Sequence, residues 1–203
     1  MKFSKFFSNV QETPWYLDFL NPVINEITTY KKLLDFGTGT GKLIQILSTE
    51  KGTECIGVDT NSEMLLEAQK KLKGTKTKLF KIKPDANLPF KNNDFDYVTI
   101  CSVLFHLKKN SVDYALIEAQ RLLKDEGKII ILTPTGNGNF LTLSKNFFSF
   151  KNLSIYMWFY ATRNRAKIWT NNNYLKHYAN ENKLNYKSQK VMNGFAQLEI
   201  ITV

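Results

Sequence analysis

Two cysteines, two histidines and five prolines among 203 residues leave little material for several chemistries. Cys55 and Cys101 both fall in apolar runs that read as central strands. They therefore serve as small buried hydrophobes and not as a disulfide pair, and no metal site is expected. A reducing, cytoplasmic compartment fits that usage. No apolar run reaches the roughly 18 residues that a membrane-spanning helix needs. The polar stretch Ser8–Thr13 also breaks up any signal-peptide core behind Lys2 and Lys5. Internal repeats and long linkers are missing too. With 43% hydrophobic residues the chain is long enough for one well-buried domain, residues 1–203, and offers no second.

Glycine is sparse, ten residues in all, yet three fall within five positions of one another. Lys32-Leu33-Leu34-Asp35-Phe36 reads as a buried strand, and Gly37-Thr38-Gly39-Thr40-Gly41 as a hinged loop that opens a helix at Lys42. Lacking a Cβ, these glycines let the backbone turn tightly and bring its N–H groups close to a ligand. Their spacing discriminates among cofactors. A dinucleotide fingerprint puts its third glycine where Lys42 stands, and a phosphate loop follows Gly-Lys with Ser or Thr where Leu43 stands. Downstream, Glu54–Asp59 is a short apolar run ending in a carboxylate at the tip of a second strand. Asp59 is placed to accept from both hydroxyls of a ribose, whatever the nucleoside; its plainer role is to favour the dipole of the next helix. That helix, Asn61–Leu72, has a cap candidate in Thr60 or Asn61 and apolar residues at 64, 65, 68 and 72.

Asp35 followed by G-x-G-x-G at a strand end resembles, at every position, the first motif of the class I S-adenosylmethionine-dependent methyltransferases. The likeness runs from residue 33 to 133 and then thins. Asp59–Leu65 is similar to the family's second-strand junction, in which the Met beside the acidic tip packs on the adenine; core packing is the other reading of Met64. Lys78–Ile82 alternates like a third strand and leads into Pro84-Asp85-Ala86-Asn87-Leu88-Pro89-Phe90. Many small-molecule members carry an Asp-Ala pair here, the Asp accepting from the adenine amino group, before a Leu-Pro-Phe turn and a Phe-Asp strand. Asp85, Ala86 and the strand Phe95–Ile100 match that pattern, although Pro84 and Pro89 also suit a plain loop. The resemblance implies S-adenosylmethionine as cofactor and S-adenosylhomocysteine as product. The cofactor contacts it implies are Asp35, Gly37, Thr38, Gly39, Gly41, Asp59, Thr60, Met64, Asp85, Ala86 and Cys101.

The fourth strand ends at Cys101–Leu107, the edge where an open α/β sheet presents catalytic groups. The Asp/Asn-Pro-Pro-aromatic tetrapeptide of amino-methylating DNA and RNA enzymes is absent there. So is the Pro-Cys of the cytosine-C5 enzymes, since Cys101 follows Ile100. His106 coincides with a His of the branch that includes quinone-biosynthesis and related lipid or small-molecule methyltransferases. A pKa near neutrality makes it the base candidate, with simple pocket lining as the alternative. His177, on a predicted tail helix, reads as a surface or lid residue. A helix through Tyr114–Leu123 and a turn at Asp125-Glu126-Gly127 precede a continuously apolar fifth strand.

The implied fold is α/β: a doubly wound, mostly parallel, seven-stranded Rossmann-like sheet with an antiparallel C-terminal strand and a helical lid insertion. Residues 1–31 form an N-terminal helical segment with a helix over Pro14–Tyr30, 32–133 the cofactor-binding half, and 134–203 the substrate lid and a C-terminal hairpin. In that last part, 140–190 holds nine basic residues against one acidic, Glu181, and Phe140–Tyr160 holds eight aromatics. Such a segment suits a lid over an apolar pocket, a packed helix closing a sheet edge, or a face lying on a membrane. The net charge of +10 invites nucleic acid as well, while coding drift toward Lys and Asn would explain it without function. A helix over Trp169–Ala179, capped at Thr170 or an Asn, and strands Leu184–Val191 and Phe195–Val203 joined at Asn193-Gly194 complete the chain. The expected activity is methyl transfer to a small-molecule or lipid-like acceptor. The alternatives are an RNA-modifying methyltransferase and a non-catalytic nucleoside-binding regulatory subunit.

Overall fold

The computed structural model describes residues 3–202; Met1, Lys2 and Val203, at the ends of the expected N-terminal segment and last strand, lie outside the described residues. The first half runs α1 (Phe3–Val10), α2 (Pro14–Glu26), β1 (Lys32–Phe36), α3 (Lys42–Glu50), β2 (Glu54–Asp59), α4 (Ser62–Lys71) and β3 (Lys78–Lys81). The second runs β4 (Phe95–Cys101), α5 (Lys109–Leu122), β5 (Leu123–Pro134), α6 (Phe140–Phe147), α7 (Ser154–Asn172), α8 (Tyr174–Glu181), β6 (Asn185–Val191) and β7 (Ala196–Thr202). The seven strands lie in the order β3-β2-β1-β4-β5-β7-β6. The first five are parallel, and β7 runs antiparallel between β5 and β6. Strand order reverses between β1 and β4, so a crevice opens beyond their carboxyl ends.

Alternation along the strands assigns each residue to a layer. Leu33, Cys55, Tyr97 and Ile130 face a core shared with α2, α3 and α7, whereas Leu34, Ile56, Val98 and Ile131 face one shared with α5 and α8. Both faces of the central strands are therefore covered, which is why these segments read as unbroken apolar runs. Truncating Leu33 or Leu34, both fully buried, to Ala should cost about 2–5 kcal/mol.

Several local expectations are corrected. The helix from Pro14 stops at Glu26 and not Tyr30, because Ile27 is extended and Tyr30, at φ +57°, gives its N–H to the Lys51 carbonyl. The acidic turn at 125–127 lies inside β5 as a bulge: Leu123 pairs with Phe95 and Lys128 with Tyr97, leaving four residues opposite Asp96. Thr170 caps nothing, since it lies inside α7; the break falls at Asn173, whose left-handed φ of +46° ends α7 and starts α8. The C-terminal strands do form a hairpin, but its connection is the four residues 192–195, with a 3-10 turn over Met192–Gly194, not a two-residue Asn-Gly turn.

The insertion after β5 is helical. Its inner side packs on the sheet and on α2, with the Trp15 and Trp158 rings 5.1 Å apart and Trp15 Nε1 donating to Ser154 Oγ at 2.8 Å.

Candidate active site

The crevice takes its shape from the glycine loop. Gly37 and Gly39 adopt φ of +78° and +55°, and a Cβ on Gly37 would stand 2.4 Å from Val103 Cγ2. The amides of Gly37 and Thr38 donate to the Val58 carbonyl at 2.8 and 3.0 Å, so β2 fixes the loop's turn. Gly39 N–H donates to Asp59 Oδ2 at 2.9 Å, and Asp59 Oδ1 accepts from Asn61 N–H at 2.8 Å. Asp59 thus ties the loop to the start of α4, where Asn61 is the cap, and each of its oxygens retains a further lone pair.

A cavity of about 370 Å³ occupies this crevice, and Asp35, Gly37, Thr38, Gly39, Asp59, Thr60, Met64, Asp85, Ala86, Cys101 and His106 all line it. Gly41 does not. At φ +80° it lets α3 approach α4 closely: a Cβ there would meet Leu72 Cδ1 at 3.1 Å and Ala68 Cβ at 3.2 Å. Asp85, also left-handed at φ +52°, accepts from Ser111 Oγ at 3.1 Å. Asp35 is buried beneath the loop and accepts from Thr99 Oγ1 at 2.7 Å. Burial pushes its pKa up to about 6, with the Thr99 hydrogen bond opposing and the Asp59 charge adding. Burial likewise raises the Cys101 thiol well above its ordinary value, helped by Asp35, so Cys101 stays protonated and lines the cavity without acting as a nucleophile.

Three features escaped the sequence reading. The first is the N-terminal arm: Phe7, Gln11, Tyr16 and Leu20 form part of the same wall. Gln11 Oε1 accepts from the hydroxyl of Thr40 in the glycine loop, and Gln11 Nε2 donates to Tyr16 OH at 3.0 Å. Phe3, Phe6, Phe7 and Val10 stand at helical spacing, a signal available in the sequence. The second is Ser102, which takes φ +56° and whose buried hydroxyl finds no partner among the described residues. An unpartnered hydroxyl and a strained backbone are what a ligand-facing position would show. No sequence pattern marks it.

The third is a second chamber of about 410 Å³ between α1 and α7. Phe7, Tyr16, Met64, Ser102 and His106 line both cavities, so the two adjoin. The remaining wall is Phe3, Phe6, Val10, Phe105, Ser154, Met157, Trp158, Ala161 and Thr162, with no Lys, Arg, Asp or Glu.

His106 sits at this junction on a 3-10 turn, Leu104–His106, and its Nδ1 lies 3.2 Å from Arg165 Nη1 of α7. Loss of hydration pushes its pKa below the ordinary value, and the Arg165 charge adds to the effect. His177 lines neither chamber. Among the described residues no group of three His, Cys, Asp or Glu side chains is placed to hold a metal ion, and no helix is long and apolar enough to cross a membrane.

The glycine cradle, the Asp59 lone pairs and the Ser102 hydroxyl fit a nucleoside-bearing cofactor. Comparison with known proteins agrees. Residues 34–131 match the methyltransferase domain family. Demethylmenaquinone methyltransferase of Thermotoga maritima is 33% identical over 103 residues, covering 50% of this chain and 43% of that protein. The ubiquinone/menaquinone biosynthesis C-methyltransferase of Citrifermentans bemidjiense is 33% identical over 114 residues, 51% of this chain and 47% of that one. The chain thus spans less than half the length of these curated relatives. Over the whole fold, an S-adenosylmethionine-dependent methyltransferase from Aquifex aeolicus superposes with a TM-score of 0.71 at 16% identity, covering 98% of each chain.

Proposed function

Because residues 34–131 match the methyltransferase domain family and the fold around them is that of the class I S-adenosylmethionine-dependent enzymes, we propose that the chain methylates a small, apolar, uncharged acceptor. The carrying observation is the second chamber, which meets the cofactor crevice at Met64, Ser102 and His106 and has no charged side chain elsewhere in its wall. A phosphodiester or an acidic metabolite would be desolvated there without a counter-charge. None of the basic residues of 140–190 lines either chamber, which weighs against an RNA substrate. Aromatic and aliphatic walls suit a ring or a lipid-like chain, the class of acceptor that the names of the quinone-biosynthesis relatives suggest.

Bound S-adenosylmethionine would supply an electrophilic methyl on a sulfonium, with neutral S-adenosylhomocysteine as the leaving group. The chain's own contribution is positioning. Gly37 and Gly39 would shape the loop that holds the cofactor, with Asp59 placed to accept from its ribose hydroxyls and Asp85 from the adenine amino group. Asp35, with a pKa of about 6, is ionised at neutral pH and favours a cationic ligand nearby. Holding an acceptor nucleophile about 3 Å from the reacting carbon supplies proximity and orientation, which carry most of such a displacement. Tyr16, Ser102 and His106 are the polar groups at the junction, placed to orient an acceptor oxygen.

Incubation with methyl-labelled S-adenosylmethionine, a total lipid extract and total RNA tests the reading. Label should enter the organic-soluble fraction. Label confined to RNA would overturn it, and S-adenosylhomocysteine binding without transfer to either fraction would favour a regulatory subunit.

A further inference from the structure

Helix α7 carries two apolar stripes. The inner one, Ile155, Phe159 and Ala166, is buried. The outer one, Leu153, Met157, Tyr160 and Ile168, recurs at helical spacing from the residue that precedes the helix, and each of its side chains is 48–64% exposed. Just before the helix's N-terminal end Phe148 and Phe150, their rings 6.0 Å apart, are exposed as well, Phe150 to 84%. A soluble chain rarely leaves so many large apolar groups together in water.

The surroundings are cationic. From Phe140 through Asn180 the chain has six basic residues and no acidic one, and Lys151 and Lys167 are exposed beside the stripe. Met157 and Ala161 also belong to the wall of the apolar chamber, across from the exposed Phe3, so the rim of that chamber lies on the same face.

We propose that this face seats on an anionic bilayer surface, its aromatic and aliphatic side chains entering the interfacial layer and its cations lying over the headgroups. Aromatic residues interleaved with Lys and Arg are the composition of an interfacial face, and an anionic leaflet attracts the cations. A second copy fits less well, because a two-fold interface would set this basic patch against itself. RNA would engage the cations and leave Leu153, Met157 and Ile168 in water. Docking would point the chamber's rim at the lipid, so a lipid-soluble acceptor would reach it without crossing water. That last step rests on the methyl-transfer reading; the docking does not.

Flotation of the full chain tests this, using vesicles of phosphatidylcholine alone and of phosphatidylcholine with phosphatidylglycerol. The chain should float with the anionic vesicles and hardly with the neutral ones. Phe150→Glu with Leu153→Glu, neither of them lining a chamber, should weaken flotation at least tenfold. Lys151→Glu with Lys167→Glu should weaken it roughly 20-fold or more, at about fivefold per cation near the surface. Both variants should keep wild-type affinity for S-adenosylhomocysteine in calorimetry, which separates failure of the docking from failure of the cofactor site. No flotation with anionic vesicles, or flotation undiminished by Phe150→Glu with Leu153→Glu, overturns the proposal. So does a concentration-dependent dimer that the same pair abolishes when no vesicle binding is seen.

Discussion

Arg165 Nη1 lies 3.2 Å from His106 Nδ1, and this contact decides which nitrogen of the histidine holds the proton. A guanidinium only donates, so Nδ1 presents its lone pair to Arg165 and the hydrogen of the neutral ring stays on Nε2. A general base would need that lone pair for the acceptor. With this partner, His106 is better arranged to donate from Nε2 to an acceptor oxygen than to remove a proton from it.

His106 should therefore titrate below 6.5, and Arg165→Met should raise the midpoint, since lost hydration and then the Arg165 charge both disfavour the imidazolium. Imidazole NMR tests this readily in a chain with only two histidines. A wild-type midpoint at or above 6.5, or no rise in the variant, would refute the coupling. The stability counterpart has a definite sign. The folded chain binds this proton less readily than the unfolded one, so the histidine's contribution is present above about 6.5 and is lost as pH falls below it.

Turnover should distinguish donor from base. His106→Ala should lower single-turnover chemistry on the order of 10²-fold, the usual loss for one oriented donor. His106→Gln, which retains an amide N–H, should recover part of that loss, and neither change should move S-adenosylhomocysteine affinity more than a few-fold. Equal losses in both variants would restore the general-base role.

The three loop glycines should separate by function. Gly37→Ala forces a Cβ to within 2.4 Å of Val103 Cγ2 in a loop at positive φ, so calorimetry should show cofactor affinity lost or severely reduced. Gly39→Val should do the same by filling the crevice. Gly41→Ala meets Leu72 and Ala68 behind the loop, and its main effect should be a lower melting temperature with near-normal affinity in the folded fraction. Wild-type affinity in both Gly37→Ala and Gly39→Val would remove the cofactor from this crevice.

Asp35 should show as a pH-dependent liability. Its pKa of about 6 exceeds the ordinary 3.8, so the folded state holds the proton more tightly than the unfolded one. Its stabilising contribution is complete below about 3.8 and is lost as pH rises through about 6. Asp35→Asn should therefore gain stability relative to wild type between pH 4 and pH 8, on the order of 2 kcal/mol across the window. Denaturant unfolding at the two pH values measures the difference, and a gap of zero or of the opposite sign would contradict it.

Sequence legibility followed the range of the interactions involved. The Asp35–Gly41 loop and the strand tips at Asp59 and Cys101 depend on local backbone demands and on alternation, which one segment displays by itself. Gly41 is ambiguous in the sequence because a glycine needed for helix packing looks the same as one needed for a ligand; the proximity of Leu72, far along the chain, is what reveals the packing role. The second chamber was hidden for the same reason, being the product of α1 meeting α7 across more than 140 residues of sequence. Thr170 looked like a helix cap because it precedes an Asn run, yet tertiary packing carried α7 straight through it to Asn173.

Gln11 is the residue through which that distant arm reaches the cofactor loop. Its side chain accepts from the fully buried Thr40 hydroxyl and donates to the buried Tyr16 OH. Beside it, Glu12 pairs with Lys42 at 2.5 Å and with Lys71 at 2.9 Å. Gln11→Leu keeps roughly the volume and removes these two hydrogen bonds and a third, donated by Lys71 Nζ to Gln11 Oε1 at 3.3 Å, leaving two buried hydroxyls to find other partners. Each unsatisfied group costs about 1–3 kcal/mol, so a loss of about 2 kcal/mol and a fall in melting temperature of about 4–8 °C should follow. Because the arm covers the crevice, S-adenosylhomocysteine should also dissociate faster, by stopped-flow, than from wild type. A double-mutant cycle with Thr40→Val makes the test specific. The two changes should be non-additive by more than about 0.5 kcal/mol, since Thr40→Val removes the hydroxyl that Gln11→Leu would strand. Strict additivity, or unchanged dissociation in Gln11→Leu, would mean that the arm merely lies near the loop without holding it.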